Sequence, residues 1–100
     1  MIVVFHPLAE RELIEAAKFY ETRAAGLGAD FVLQVERTLA GIVKNPKAGS
    51  ILTRAIRRRL IPRFPFALLY QSEAQQLTVI ALMHLRRRPS YWKRRIKSVR

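Results

Sequence analysis

One hundred residues, half of them apolar, suit one modest hydrophobic core, and the absence of cysteine excludes disulfide staples, thiolate-bound zinc and thiol nucleophiles. The formal net charge of +12 is unevenly placed: residues 1–50 carry six basic and six acidic side chains, whereas residues 51–100 carry thirteen basic ones against Glu73 alone. No apolar run approaches the length of a membrane span, and the opening MIVVFHPLAERE has no basic leader, so a soluble, cytoplasmic chain is expected, with a focused positive field that draws a polyanion or an acidic protein.

In chain order, residues 2–5 (IVVF) read as a short strand. Pro7 then opens a helix, where its missing N–H costs nothing, and Leu8, Leu13, Ala16, Ala17 and Tyr20 recur at helical spacing. Glu10, Glu12 and Glu15 face elsewhere or lie near the start, where acids suit the positive helix end. This helix should stop near residues 24–26. A second helix from Leu27 to Lys44 carries the stripe Leu27, Phe31, Val35, Leu39, Ile42, and Asn45-Pro46 ends it. The short connection makes an antiparallel helical hairpin, with Phe19 and Val32 as exposed residues that offer a docking surface.

The period then changes. Residues 54–61 (RAIRRRLI) read as a strand in which Ile56, Arg58 and Leu60 share one face, and Arg57, Arg59 and Ile61 the other. Residues 64–70 (FPFALLY) form a nearly continuous buried strand, 71–76 (QSEAQQ) a polar turn, and 77–83 (LTVIALM) a last strand ending at His84. The expected fold is α+β, in the order β-α-α-β-β-β. The helical hairpin covers one face of a small, mainly antiparallel sheet. There are no internal repeats, so residues 1–100 are read as one domain, with a basic tail from about residue 91 that is partly flexible.

Pairing across the 71–76 turn brings Phe66 opposite Ala81 and Arg63 opposite His84, so two basic clusters meet at one end of the sheet; a slip of one residue would reverse every side chain. Cleavage of a phosphodiester there needs a proton carrier, for which His84 is the candidate, and a bidentate grip on phosphate from Arg63 or Arg87. Tyr91 or Trp92 can stack on a base, although a large indole is more simply read as core. Neither cluster contains a carboxylate, and no convergent set of hard ligands is visible, so neither metal nor cofactor is expected.

The order and spacing of HPLAERELIEAAKFYE, VKNP, IRRRLIPRFPFALLY and LTVIALMHLRRRPSYWKRR resemble the RelE/ParE superfamily of small bacterial toxins, across nearly the whole chain. The resemblance implies a toxin held in a hetero-oligomer by a cognate antitoxin. RelE-like members cut messenger RNA in the ribosome without metal, and ParE-like members poison DNA gyrase. Carried over, Arg57, Arg59 and Arg63 fall on the phosphate-orienting segments, His84 and Arg87 near the last strand, and Tyr91 near a tyrosine used by some RNA-cleaving members. The lysine-rich pattern of the RNA-cleaving relatives is absent, and arginine is a poor general base. The expected function is therefore a ParE-like toxin acting on gyrase, with Arg57, Arg59, Arg63, Arg86, Arg87 and Arg88 contacting target or phosphate. The RelE-like alternative is a ribosome-dependent endonuclease with Arg63, His84, Arg87 and Tyr91 as its catalytic set. A nucleic-acid-binding module without toxicity is the third reading.

Overall fold

The structure, a computed structural model, describes residues 1–97. The elements run β1 (Ile2–Phe5), α1 (Pro7–Arg23), α2 (Leu27–Lys44), β2 (Ser50–Ile51), β3 (Arg57–Leu60), β4 (Phe66–Ser72), β5 (Gln76–His84) and α3 (Arg94–Lys97). The sheet order is β1-β5-β4-β3-β2, with β1 parallel to β5 and the other pairs antiparallel. The α+β architecture, the helical hairpin and its boundaries agree with the pattern of the sequence.

Both helices start on specific backbone chemistry. His6 Nδ1 accepts the Leu8 N–H at 3.1 Å while Pro7 occupies the first turn of α1. The cap of α2 comes from the preceding helix: Glu21 accepts from the Gly26 N–H at 2.9 Å and the Gly28 N–H at 3.0 Å. These two bonds hold the Glu21 carboxyl below its ordinary range. Gly26 takes a φ of 87°, and a β-carbon at Gly28 would lie 2.5 Å from the Ala17 carbonyl oxygen, so the tight connection needs both glycines.

The helical hairpin buries Ala9, Ala16, Phe31, Val35 and Ile42 against Leu68, Tyr70, Leu77, Val79 and Leu82 of the sheet. Phe31 sits among Tyr20, Phe64 and Phe66, with ring centroids 5.0–5.1 Å away. Phe64 and Phe66 meet Phe31 edge-on while Tyr20 is tilted to it, and aromatic pairs of this kind each add about 0.5–1.5 kcal/mol beyond their buried area. Phe19, which as a lone aromatic reads first as core, is exposed and available for docking, whereas Val32 is half-buried, because it stands beside the Phe31 stripe.

The opposite face of the sheet is also covered. Ile56, Ala67, Leu69, Ile80, Ala81 and Met83 pack with Trp92, supported by Tyr91 and Ile96. Burial on both faces is why β4 and β5 read as unbroken apolar runs instead of alternating ones. A register irregularity where β4 passes Leu69 and Tyr70 leaves Ile80 unpaired, so Ile80 and Ala81 both join this second core. The tail expected to be partly flexible from about 91 is packed from Tyr91 to Ile96, and Trp92 is only 2% exposed. Residues 98–100 lie outside the described residues.

Several strand boundaries differ from the sequence reading. The strand expected over 54–61 is confined to Arg57–Leu60, because residues 52–56 form the turn that folds β3 back on the two-residue β2. The strand expected over 64–70 begins only at Phe66: Phe64 and Pro65 belong to a turn in which Arg63 adopts a φ of 71°. The polar turn shrinks, since Gln71 and Ser72 pair with Thr78 and Leu77, and the Glu73 N–H closes on Gln76 O at 2.8 Å. That tighter turn moves the register by about three residues. Phe66 stands opposite His84, and Ala81 opposite Leu69; Arg63 is not His84's partner.

Candidate functional site

Three features gather at the end of the sheet where β5 leaves off. The first is a buried polar network that completes a strand edge. β1 stops at Phe5, and its last backbone contact is the His6 N–H on Val79 O at 2.9 Å. Beyond that point side chains take over from a neighbouring strand. Glu12 Oε1 accepts the Leu82 N–H at 3.0 Å, and Arg95 Nη1 donates to Ile80 O at 3.1 Å. The two side chains are themselves joined by a fork, Nη1 to Oε1 at 2.8 Å and Nη2 to Oε2 at 2.9 Å. Tyr91 donates its hydroxyl to Glu12 Oε2 at 2.7 Å.

The electrostatics follow from this geometry. Burial pushes the Tyr91 phenol well above its ordinary value, and its bond to the Glu12 carboxylate adds to the shift. Burial alone would lower the Arg95 guanidinium, but its hydrogen bonds and charge pairing with Glu12 hold it above its ordinary value. Burial also lowers His6, and the Arg95 cation reinforces that direction against the opposing pull of Glu12.

The second feature is a groove of about 370 Å³ between α1 and the end of β5. Tyr20, Phe66 and Leu82 line it, with Glu12 and Glu15 joined by His84 and Arg87. His84 stacks edge-on to Phe66, 5.0 Å between ring centroids, and its Nδ1 accepts the Arg86 N–H at 3.0 Å. Two carboxylates therefore share a cavity with the histidine, although no acid lies near it in the chain. Helix α1 supplies them across the sheet edge.

The third feature is a cavity of about 310 Å³ on the face covered by the tail. Arg58, Arg87 and Lys93 line it, over Met83, Leu85 and Trp92. Arg87 also lies 3.9 Å from the centre of the Tyr91 ring, so its cation is held in place by an aromatic face. Its lining contains three cations and no acid or histidine. Such a cavity can hold phosphate or carboxylate groups beside an apolar surface; it offers no group to accept a proton at neutral pH.

The arginines named from sequence thus divide. Arg57 and Arg59 pair with Tyr70 and Leu68, whose side chains belong to the helix side of the sheet, whereas Arg58 pairs with Leu69 of the opposite core. Arg57 spends its Nη1 on Lys47 O at 3.0 Å and Gly49 O at 2.8 Å. Arg59 lies against α2, where a β-carbon on Gly41 would be 3.6 Å from its Nη2. Arg63 is exposed at its turn, with its guanidinium 5.8 Å from the Phe64 ring. Arg86 and Arg88 are exposed beside Arg87. The sequence pattern places Arg58 in the basic cluster and on the strand face of Ile56 but does not single it out for the site, and it misses Lys93 and Glu12; nothing in the chain flags Glu12.

Among the described residues no group of acids and histidines could hold a metal ion, and no helix is long and apolar enough to cross a membrane. A family model for the ParE toxin of the type II toxin-antitoxin system, parDE, matches residues 3–89. Among solved structures, a chain described as the chromosomal ParDE TA system from P. aeruginosa superposes with a TM-score of 0.70 at 16% identity, covering 84% of this chain and 95% of that one. At that identity the likeness concerns the fold. No curated protein matches significantly.

Proposed function

This chain belongs to the ParE toxin family of type II toxin-antitoxin systems, and from that premise we propose that it acts in the cytoplasm on DNA gyrase, through the cationic face formed by Arg58, Arg87 and Lys93, and is released or held by a cognate antitoxin. The observation that carries this reading is the composition of that face. Its three cations surround an apolar floor, and neither a histidine nor a carboxylate is among its lining residues. His84 lines the groove beside α1, and the Tyr91 hydroxyl is committed to Glu12. A site with this donor set grips an anionic or acidic target and leaves its bonds intact. Arg86 and Arg88, exposed on either side of Arg87 in the chain, add positive charge to this region.

One observation favours the RelE-like alternative. Glu12 and Glu15 share a groove with His84 and Arg87, which puts two carboxylates, a proton carrier and a cation in one cavity. In that reading His84 and Arg87 are the reacting shell, with Arg63 and Tyr91 assisting, and the substrate is messenger RNA on the ribosome. The two readings separate in one paired assay with purified protein. Incubated with gyrase and supercoiled plasmid, a ParE-like toxin yields protein-linked, cleaved DNA and leaves a translated transcript whole. Cuts in the transcript that disappear in His84→Ala, with plasmid untouched, would establish the alternative. A protein that does neither, and only loses affinity for nucleic acid steeply with salt, would be the simple binding module.

A further inference from the structure

The two edges of the sheet differ in chemistry. At the β2 edge, Lys47, Arg54 and Arg57 border a cavity of about 430 Å³. At the other edge stands β1, the strand IVVF, and residues 1–8 contain no Asp, Glu, Lys or Arg. Met1, Ile2, Val3 and Val4 are all exposed, as is Leu8 at the start of α1. Edge strands are ordinarily guarded by charge, proline or a bulge, since their unpaired N–H and C=O groups recruit other strands. β1 has no such guard within it: its register against β5 is unbroken from Ile2–Gln76 to Phe5–Val79, and only its short length protects it. The groups that face outward follow from those that face inward. The Ile2 and His6 N–H groups donate to Gln75 O and Val79 O, both at 2.9 Å. Alternation then turns the backbone groups of Val3 and Phe5 away from β5. Phe5 packs on the helix-side core, so Val3 shares its face, and Ile2 and Val4 lie on the other.

We infer that β1 is a self-association edge: two copies of this chain pair β1 antiparallel about a two-fold axis through Val4, joining two five-stranded sheets into one. The segment is self-complementary in that register. Val3 of each copy exchanges both backbone bonds with Phe5 of the other, and Val4 meets its own counterpart between them. Ile2 then stands opposite His6, and Met1 reaches the start of the other copy's α1, where Leu8 is exposed. Charge selects this occupant. Each copy carries a net charge of +12, so copies tolerate one another only where the approaching surfaces are uncharged. Pairing through β2 would bring Lys47, Arg54 and Arg57 of two copies together, whereas β1 has no charged side chain to oppose its twin. Nor does β1 carry a cation to draw a nucleic acid or an acidic peptide. In the sheet order β5 and β4 separate β1 from β3, so Arg58 stays clear of the joint. This contact stands apart from the gyrase reading.

The chain contains no cysteine, so a single introduced thiol reports the register. On the two-fold axis the two Val4 Cα atoms sit about 4.5 Å apart, as in a pair without hydrogen bonds, a separation that a disulfide spans. The two Ile2 Cα atoms are offset by about 13 Å along the strands, beyond the reach of a disulfide. Mild oxidation of full-length Val4→Cys should therefore give a linked dimer as the main product. Ile2→Cys should stay largely monomeric, although Ile2 is 64% exposed and Val4 only 39%. Sedimentation of the wild-type protein from micromolar to near-millimolar concentration should show reversible monomer–dimer exchange. Val4→Lys sets like charges directly opposite each other and should raise the dissociation constant at least about tenfold. Ile51→Lys, on the other edge, should leave association unchanged. A strictly monomeric wild-type protein would overturn the assignment, as would dimerisation undiminished in folded Val4→Lys. Linkage of Ile2→Cys as efficient as that of Val4→Cys would also overturn it, and so would loss of the dimer in Ile51→Lys, which would move the joint to β2.

Discussion

Replacing Glu12 with alanine should be among the most damaging single changes in this chain. Its carboxylate accepts four hydrogen bonds: from Leu82 N–H, from Tyr91 O–H, and two from Arg95. The Arg95 and Glu12 side chains are only 9% and 15% exposed, so this pair is not a screened surface contact. Truncation takes the bidentate carboxylate away from a buried guanidinium, and breaking such a pair by removing one partner costs about 3–5 kcal/mol in comparable settings. For a domain of this size that corresponds to a fall in melting temperature of more than about 12 °C. The double variant Glu12→Met/Arg95→Leu sharpens the argument. Apolar replacement of both partners removes the charge penalty, but here it also orphans Leu82 N–H, Ile80 C=O and the Tyr91 hydroxyl. Each such loss costs on the order of 1–3 kcal/mol, so the double variant should recover only part of the stability. Denaturant unfolding measures the energies, and amide hydrogen exchange reads the Leu82 N–H directly. Glu12→Ala within about 1 kcal/mol of wild type, below the range for a broken buried pair, with Leu82 exchange unchanged, would refute the role of the pair as a substitute strand edge.

Two further outcomes test other parts of the account. Tyr70→Phe should cost about 1–3 kcal/mol in denaturant unfolding, because the buried hydroxyl donates to Pro46 O at 2.7 Å and accepts the Gly49 N–H at 3.2 Å, and both backbone groups lose their partner. His6 has a folded pKa below its unfolded value, so its contribution to stability is present above about pH 6.5 and is lost as the pH falls through the lower folded value. His6→Asn keeps a capping acceptor for Leu8 N–H and removes the titration; its stability should decline less than that of wild type between neutral and mildly acidic pH, as followed by thermal melts in a pH series.

What could be read from sequence and what could not follow from the range of the interactions. The 3.6-residue stripe of Phe31, Val35 and Ile42 and the glycine-rich break at Gly26 fixed the helical hairpin, because those signals are local. The strand faces were also legible: Ile56 and Arg58 do lie on one side of the sheet and Ile61 on the other. Register was not, since polar Gln71, Ser72 and Gln76 pair as strand residues and look like turn residues in a one-dimensional pattern. Glu12 was beyond reach for a different reason. Its partners are 70 and more positions away, and an acid in the early turns of a helix is unremarkable until the tail folds back beside it. The same fold-back converts a run of basic residues into a cap of sheet, with Trp92 buried and Arg95 paired, so that only part of the charge remains on the surface.

If the cationic face acts on gyrase by binding and does not cut RNA, the double variant Arg87→Ala/Lys93→Ala should show it. Both side chains are exposed, so the protein should remain folded. The quantity to measure is linear plasmid released from gyrase by protease and detergent, alongside the integrity of a translated transcript. Wild-type protein should produce linear DNA, the double variant should not, and the transcript should survive both. Linear DNA at wild-type levels from the folded variant, or transcript breakage by the wild-type protein with plasmid intact, would contradict it.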